Sequence, residues 1–287
     1  MRKFLKILFF PLWIVNIVVA ILLICCAYSP ILPPNELPLL SLAGLAFPFV
    51  LAINVAFLIL WLLIYPRHII VSLTTMLICV VQIRAFIPVN IDRQTPPKES
   101  LKIVSYNILS PNINPSNTNS SNRVIKYLEE ADADIICLQE FNFSNLKKNK
   151  NLLTKYPYKS YLISKDGEAA SRYLGCLSKY PILSVEKLEF DSSYNGCGKY
   201  RILHEGDTIV VYNCHLQSNG LEGDDKNAYE QILMNPKESI RSKETKKLAN
   251  KLRDSAAKRA VETNIILADM EKDTSPYVIV CGDFNDS

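Results

Sequence analysis

Tyr277-Val278-Ile279-Val280-Cys281-Gly282-Asp283-Phe284-Asn285 joins a short apolar run to a glycine and two polar residues spaced two apart. A β-branched run without alternation reads as a strand buried on both faces, of the kind found in sheets covered by helices. In extended chain Asp283 and Asn285 share one face and Phe284 takes the other. A buried strand has no structural use for a carboxylate at its end unless something pairs with it. Three other segments end β-like runs in the same way: Ser105-Tyr106-Asn107-Ile108, Leu138-Gln139-Glu140 and Asn213-Cys214-His215-Leu216. In open α/β sheets ligand-binding groups gather at the carboxyl ends of strands. An Asn, a Glu, a His and an Asp/Asn pair make an oxygen-rich set with one imidazole. Such a set suits Mg²⁺ or Mn²⁺, and it suits charge stabilisation and proton transfer on a phosphate ester.

Working outward from these segments, strand and helix patterns alternate. Leu101–Leu109 and Asp134–Phe141 are β-like, with a helical stretch Arg123–Ala131 between them and an Asn-, Ser- and Pro-rich loop at Asn112–Asn122. Short strands are expected at Tyr158–Ser164, Gly175–Ile182, Val185–Phe190, Lys199–His204 and Thr208–Leu216. From about Glu238 to Lys272 Leu248, Leu252, Ala256, Ala260 and Leu267 recur near helical spacing without a sustained heptad, which predicts a helix covering a sheet. Helical connections between buried strands, mixed with short antiparallel ones, predict a layered α/β sandwich.

Residues 1–91 are of another kind. Phe4–Tyr28, Leu39–Tyr65 and Ile69–Val89 are apolar segments of the length that crosses a bilayer core, about 20 residues. The first is too long for a signal-peptide core and no small-x-small cleavage site follows it, so it reads as a signal anchor. Three basic residues precede it, and Arg67 with His68 occupies the second loop, whereas Ser29–Pro38 carries only Glu36. The positive-inside rule then places the amino terminus in the cytoplasm and, after three crossings, the remainder outside; with the third segment lying on the membrane surface instead, the remainder would face the cytoplasm. Arg84 sits near the outer end of the third segment, where its stem reaches the headgroups. The expected organisation is a three-helix membrane anchor over 1–91 (segments 4–28, 39–65 and 69–89), a linker at 92–100, and a soluble domain over 101–287 of a multi-pass protein of the cytoplasmic membrane.

Six of the 32 basic and two of the 28 acidic residues lie in 1–95, so residues 96–287 carry 26 of each and are neutral. A protein that lives on nucleic-acid backbones is expected to show a basic footprint, and composition shows none here. Eight cysteines form no CxxC or Cys/His cluster of the zinc-binding kind. Cys137, Cys214 and Cys281 fall inside β-like runs and read as small core residues. Cys176 and Cys197 are left as a pair that an oxidising compartment could join.

Asn107, Glu140, His215 and the run Cys281-Gly282-Asp283-Phe284-Asn285-Asp286, in that order, resemble the endonuclease/exonuclease/phosphatase superfamily. Gly175-Cys176-Leu177-Ser178-Lys179-Tyr180-Pro181-Ile182 looks like that family's Ser-Lys-Tyr-Pro-Ile strand and turn. With its amino-terminal membrane helices, the layout is similar to membrane-anchored members of Bacteroidetes-type bacteria. The resemblance implies an α/β class, DNase I-like four-layer sandwich that hydrolyses phosphate mono- or diesters with Mg²⁺ or Mn²⁺. It implies Glu140 as the principal metal ligand, with Asn107 helping to hold the metal or its water. It implies His215 against the scissile phosphate, Asp283 orienting or deprotonating the attacking water or assisting the leaving group, and Asn285 holding the phosphate and nucleophile. The substrate stays open between nucleic acid, phospholipid head groups and small phosphate esters, the bilayer is the other partner, and no protein partner is inferred. The family's final Ser-Asp-His motif does not occur before Ser287. The expectation is therefore an incomplete sandwich, truncated and inactive as it stands. The competing reading is a membrane protein whose degenerate domain only binds a ligand or partner.

Overall fold

The computed structural model describes residues 2–34, 36–37, 40, 42–89, 97, 100–109, 118–141, 154–163, 173–192, 195–221, 223–234 and 242–285. Most of the linker expected at 92–100, the first half of the Asn-rich loop expected at 112–122 and the start of the helix expected from Glu238 lie outside the described residues. The chain divides into two compact units, one made of residues 1–95 and 227–257, the other of 96–226 and 258–287.

In the first unit, α1 (Arg2–Tyr28), α2 (Phe47–Ile64), α3 (Ile69–Ile78) and α4 (Val80–Phe86) form a bundle in which α1, α2 and α3 pack pairwise. Phe9–Ile31 and Ala43–Ile64 are each long and apolar enough to cross a membrane. The third expected segment is broken by a bend of 66° at Cys79. Leu23, Cys26, Ala27, Phe47, Leu51 and Cys79 form the bundle's apolar centre. The polar residues are turned inward. Asn16 donates its amide to Ser72 Oγ at 2.9 Å and accepts from Trp61 Nε1 at 3.0 Å, which ties three helices at one point. Asn54 donates to the Val19 carbonyl at 3.2 Å. Phe10, Ile21, Leu63 and Val81 face outward.

The second unit contains eight strands: β1 (Ile103–Asn107), β2 (Ile135–Phe141), β3 (Tyr158–Ile163), β4 (Tyr173–Ser178), β5 (Ile182–Leu188), β6 (Gly196–His204), β7 (Asp207–His215) and β8 (Tyr277–Asp283). They form two sheets, ordered β1-β2-β4-β3 and β5-β6-β7-β8. Each sheet holds one parallel pair, β1 with β2 and β7 with β8, and its other pairings are antiparallel. Parallel neighbours need a crossover. Helix α5 (Thr118–Ala131) supplies it in the first sheet; α6 (Gly223–Met234) and α7 (Lys243–Met270) lie between β7 and β8.

The pleat sorts the core into three seams. Ile135 and Cys137 of β2, with Ile209 and Val211 of β7, meet between the sheets. Ile136 and Leu138 turn the other way onto Leu128 of α5. Val210, Tyr212 and Cys214 turn onto Ile266 of α7. Helix, sheet, sheet and helix make the four-layer α/β sandwich expected from the resemblance. The carboxyl end of α7 and the turn after it are fastened to β6 by charge: Lys199 Nζ reaches Asp269 at 2.5 Å and Asp273 at 3.0 Å, and Arg201 also reaches Asp273 at 2.5 Å.

Three expectations change. The helix before β2 begins at Thr118 rather than Arg123, and α6 was not foreseen at all. Strand β8 is not buried on both faces: Ile279 and Cys281 enter the inter-sheet seam, whereas Val278 and Val280 are more than a third exposed. The reason is its place at the edge of its sheet, where α7 covers β7 and leaves the outer face of β8 open. Cys176 and Cys197 are not partners: Cys176 stands opposite Cys137, and Cys197 opposite Cys214.

Candidate active site

The two parallel pairs end at a common place. Asn107 closes β1, Glu140 lies at the end of β2, His215 closes β7 and Asp283 closes β8. Asn107 Nδ2 donates to Asp283 Oδ2 at 2.7 Å and lies 3.3 Å from Glu140 Oε1. His215 Nε2 lies 3.4 Å from the same Glu140 oxygen. Both Glu140 and His215 are buried. Four of the five residues singled out by sequence therefore share one polar cluster that bridges the sheets.

Glu140 reaches this cluster because β2 breaks its pleat. Leu138 pairs with Gly175 but Phe141 pairs with Tyr173, so one extra residue is accommodated on β2 between them. A bulge of this kind re-aims a side chain and is common beside active sites. Here Leu138 and Phe141 both pack toward α5, although they are three apart, and Glu140 (φ 53°) turns inward between them. In an unbroken strand Glu140 would follow Ile136 and Leu138 into the apolar layer under α5. Asn285 also has positive φ, at 50°. Conformations of this kind cost on the order of 1–3 kcal/mol each and persist where the surroundings impose them.

Asn285 stands beside the cluster rather than in it. Its backbone N–H donates to Asp283 Oδ1 at 3.0 Å, and its side-chain amide donates to the Leu216 carbonyl at 2.8 Å. Leu216 N–H in turn donates to the Asp283 carbonyl at 2.9 Å. Gly282 (φ 143°) allows β8 to lie this close, because a Cβ there would overlap the backbone carbonyl oxygen of Cys214.

Three further residues shape the site and were not singled out from sequence. Gln139 donates to Asn213 Oδ1 at 2.6 Å and to Ser105 Oγ at 3.1 Å, joining the sheets directly beneath the cluster. Asn213 donates to the carbonyls of Leu138 and Gly175, at 3.1 and 2.9 Å. Their neighbours in the quoted segments were the only signal. Glu262 of α7 accepts from Gln217 N–H at 2.8 Å and from Asn195 at 3.2 Å, holding the turn after His215. Burial pushes its carboxyl above the usual range, against the opposing pull of the Gln217 N–H and the Asn195 amide. Nothing in the sequence distinguishes Glu262 from any polar residue on a helix.

A hard divalent ion takes oxygen donors, and Mg²⁺ is commonly held by one or two carboxylates with waters and substrate oxygens completing the shell. Among the described residues no three His, Cys, Asp or Glu side chains gather as a ready-made cage. Two carboxylates joined through one carboxamide, at the rim of a buried seam, nonetheless fit that sparse mode of binding.

A family model described as the endonuclease/exonuclease/phosphatase family matches residues 104–287. The chain belongs to that family. Residues 5–86 match a second model, described as a domain of unknown function (DUF8431). No curated protein matches the chain in sequence. Among solved structures, D. rerio TDP2 complexed with single-strand DNA product is similar at 14% identity and a TM-score of 0.42, over 65% of this chain and 61% of that one. SmcL is similar at 18% identity and 0.43, over 66% and 65%. ANGEL2, a 2',3'-cyclic phosphatase, is similar at 19% identity and 0.44, over 64% and 52%. The chain thus spans less than two thirds of the length of each.

Proposed function

We propose that this protein is a membrane-anchored, divalent-metal-dependent phosphoesterase that hydrolyses phosphate mono- or diesters on the outer side of the cytoplasmic membrane. The observation that carries the chemistry is the bridge Asp283–Asn107–Glu140–His215, built from four strand ends and two sheets. Glu140 and the carboxamide of Asn107 would hold Mg²⁺ or Mn²⁺. A divalent ion there supplies Lewis-acid stabilisation of charge developing on the phosphoryl oxygens. His215 donates a hydrogen bond from its imidazole to a non-bridging phosphate oxygen, and Glu140 behind it orients the ring. Asp283, fixed by Asn107 at one oxygen and by the Asn285 N–H at the other, orients the attacking water and accepts its proton. Asn285 holds the turn after His215 through the Leu216 carbonyl and so sets the spacing of imidazole and carboxylate. Its carboxamide oxygen is the group that would meet the phosphate and nucleophile. Reaction then needs little more than positioning.

The anchor is supported by the inverted polarity of the first unit, with Asn16, Asn54 and Ser72 inside and aliphatic side chains outside. Helices that face lipid satisfy their polar groups against one another. Outward orientation rests on the basic residues at Arg2, Lys3, Lys6 and Arg67.

The test is an assay of the full-length protein in isolated membranes. Release of p-nitrophenol from bis-p-nitrophenyl phosphate or p-nitrophenyl phosphate should require Mg²⁺ or Mn²⁺ and stop on chelation. Turnover that survives chelation, or no turnover on either ester, would overturn the reading. A periplasm-specific reporter fused at Lys98 should be active; a reporter active only in the cytoplasm would reverse the orientation.

A further inference from the structure

Five cysteines lie in the sandwich unit, and the pleat divides them. Cys137, Cys176 and Cys281 turn into the seam between the sheets. Cys197 and Cys214 turn the opposite way, into the seam beneath α7. These two are directly opposed across the antiparallel β6–β7 ladder, both are fully buried, and their sulfurs are 3.4 Å apart. Residues opposed in an antiparallel pair have Cα atoms about 4.5–5.5 Å apart, inside the range of about 4.4–6.8 Å that a disulfide spans. A bond needs the two sulfurs to lose their hydrogens and close from 3.4 Å to about 2.05 Å.

We infer that Cys197 and Cys214 are a disulfide-forming pair that clamps the strands presenting His215. Cys214 is the residue before His215, Gly196 pairs with His215 itself, and Asp283 pairs with His215 from the other side. A bond at 197–214 therefore closes the hairpin next to the imidazole. The chemistry is thiol–disulfide exchange with a small disulfide such as oxidised glutathione. One protein thiolate attacks the glutathione S–S bond, forming a mixed disulfide and releasing one glutathione thiol. The second protein thiolate then attacks the protein sulfur of that mixed disulfide and releases the second glutathione. Two protein thiols lose two electrons, and their two protons leave with the two reduced glutathiones. Because both sulfurs are buried, exchange takes place while the hairpin is uncovered, during folding or transient opening. The inference does not rest on the phosphoesterase reading or on which side of the membrane the domain lies.

The full-length protein in detergent is warmed with oxidised glutathione to just below its melting transition, quenched in acid, denatured and alkylated with N-ethylmaleimide. Tryptic cleavage after Lys199 and Arg201 separates the two cysteines. The expected product is a linked peptide pair containing Cys197 and Cys214, lighter than the alkylated peptides and released by dithiothreitol. Oxidised protein should also melt several degrees above the reduced form. Complete alkylation of both cysteines under these conditions, or a Cys137–Cys176 link with Cys197 and Cys214 free, would overturn the inference. The map is read on the unmodified chain, so it does not depend on a cysteine variant folding.

Discussion

Asn16, Asn54 and Ser72 are fully buried in the helical unit, where Leu63 and Val81 are mostly exposed; in the sandwich unit Ile135, Ile136, Val210 and Val211 are fully buried. Both units also bury polar groups, but to different ends. In the helical unit, Asn16 ties α1 to α2 and α3 with ordinary neutral hydrogen bonds. In the sandwich, Gln139 and Asn213 tie one sheet to the other beneath a cluster that contains two carboxylates and an imidazole. In the proposed membrane anchor a surface that meets lipid would leave polar groups only the helix interfaces, whereas the proposed enzyme domain could keep its polar interior for chemistry. Four substitutions probe this difference, in descending order of effect.

The largest is Glu140→Gln in the proposed enzyme. It keeps the shape and removes the charge, so metal-dependent hydrolysis should fall about 10²- to 10⁴-fold with little change in Tm. Glu130→Gln, on an exposed face of α5, should leave activity within about twofold, since surface ion pairs such as Lys126–Glu130 contribute little. Equal effects of the two would place the chemistry elsewhere.

Next comes Gly282→Ala. The added Cβ has no room against the Cys214 backbone, so β8 must shift away from β7. The expected cost is about 3 kcal/mol or more, read as a lowered Tm of the sandwich with activity lost in parallel. A variant of unchanged Tm would show that β7 and β8 tolerate wider spacing than the structure has.

Acid should reach the sandwich through α7. Burial opposes ionisation of Asp273, but the Ser275 N–H and hydroxyl and Lys199 outweigh it and hold the carboxyl well below the usual range. Asp269 is lowered too: burial opposes, while Lys199 and Tyr212 donate to it. A depressed folded value means stabilisation that is fully present above the ordinary carboxylate pKa, near 4, and is lost as pH falls through the lowered one. The contribution of this cluster to Tm should be flat from about pH 8 to 5 and fall below about pH 4. Lys199→Met should make that fall shallower; an unchanged acid limb would show that other carboxylates govern it.

The smallest effect is expected in the helical unit. Hydrogen bonds between helices in membranes average about 0.6 kcal/mol. Asn16→Leu should therefore cost about 1 kcal/mol or less, although it removes two bonds, and it should leave hydrolysis unchanged in isolated membranes. A large loss of stability would show that Asn16 organises the bundle rather than merely joining it.

The apolar runs and their lengths declared both kinds of unit, because the local periodicity of a chain records the surroundings each segment must satisfy. The four strand-end motifs likewise named Asn107, Glu140, His215 and Asp283, since each stands at the end of a β-like run. Helix α6 left no such trace, because its face lacks a clear apolar stripe. What only the tertiary structure decided is how the motifs meet. The bulge that turns Glu140 inward depends on the register of β2 against β4, and register is a property of two strands. The inter-sheet bonds of Gln139 and Asn213 and the hold of Glu262 on the turn after His215 join residues 38 to 75 positions apart. The thiol pair at Cys197 and Cys214 was equally hidden. A separation of 17 positions carries no motif, and only the antiparallel pairing of β6 with β7 sets those two sulfurs against each other.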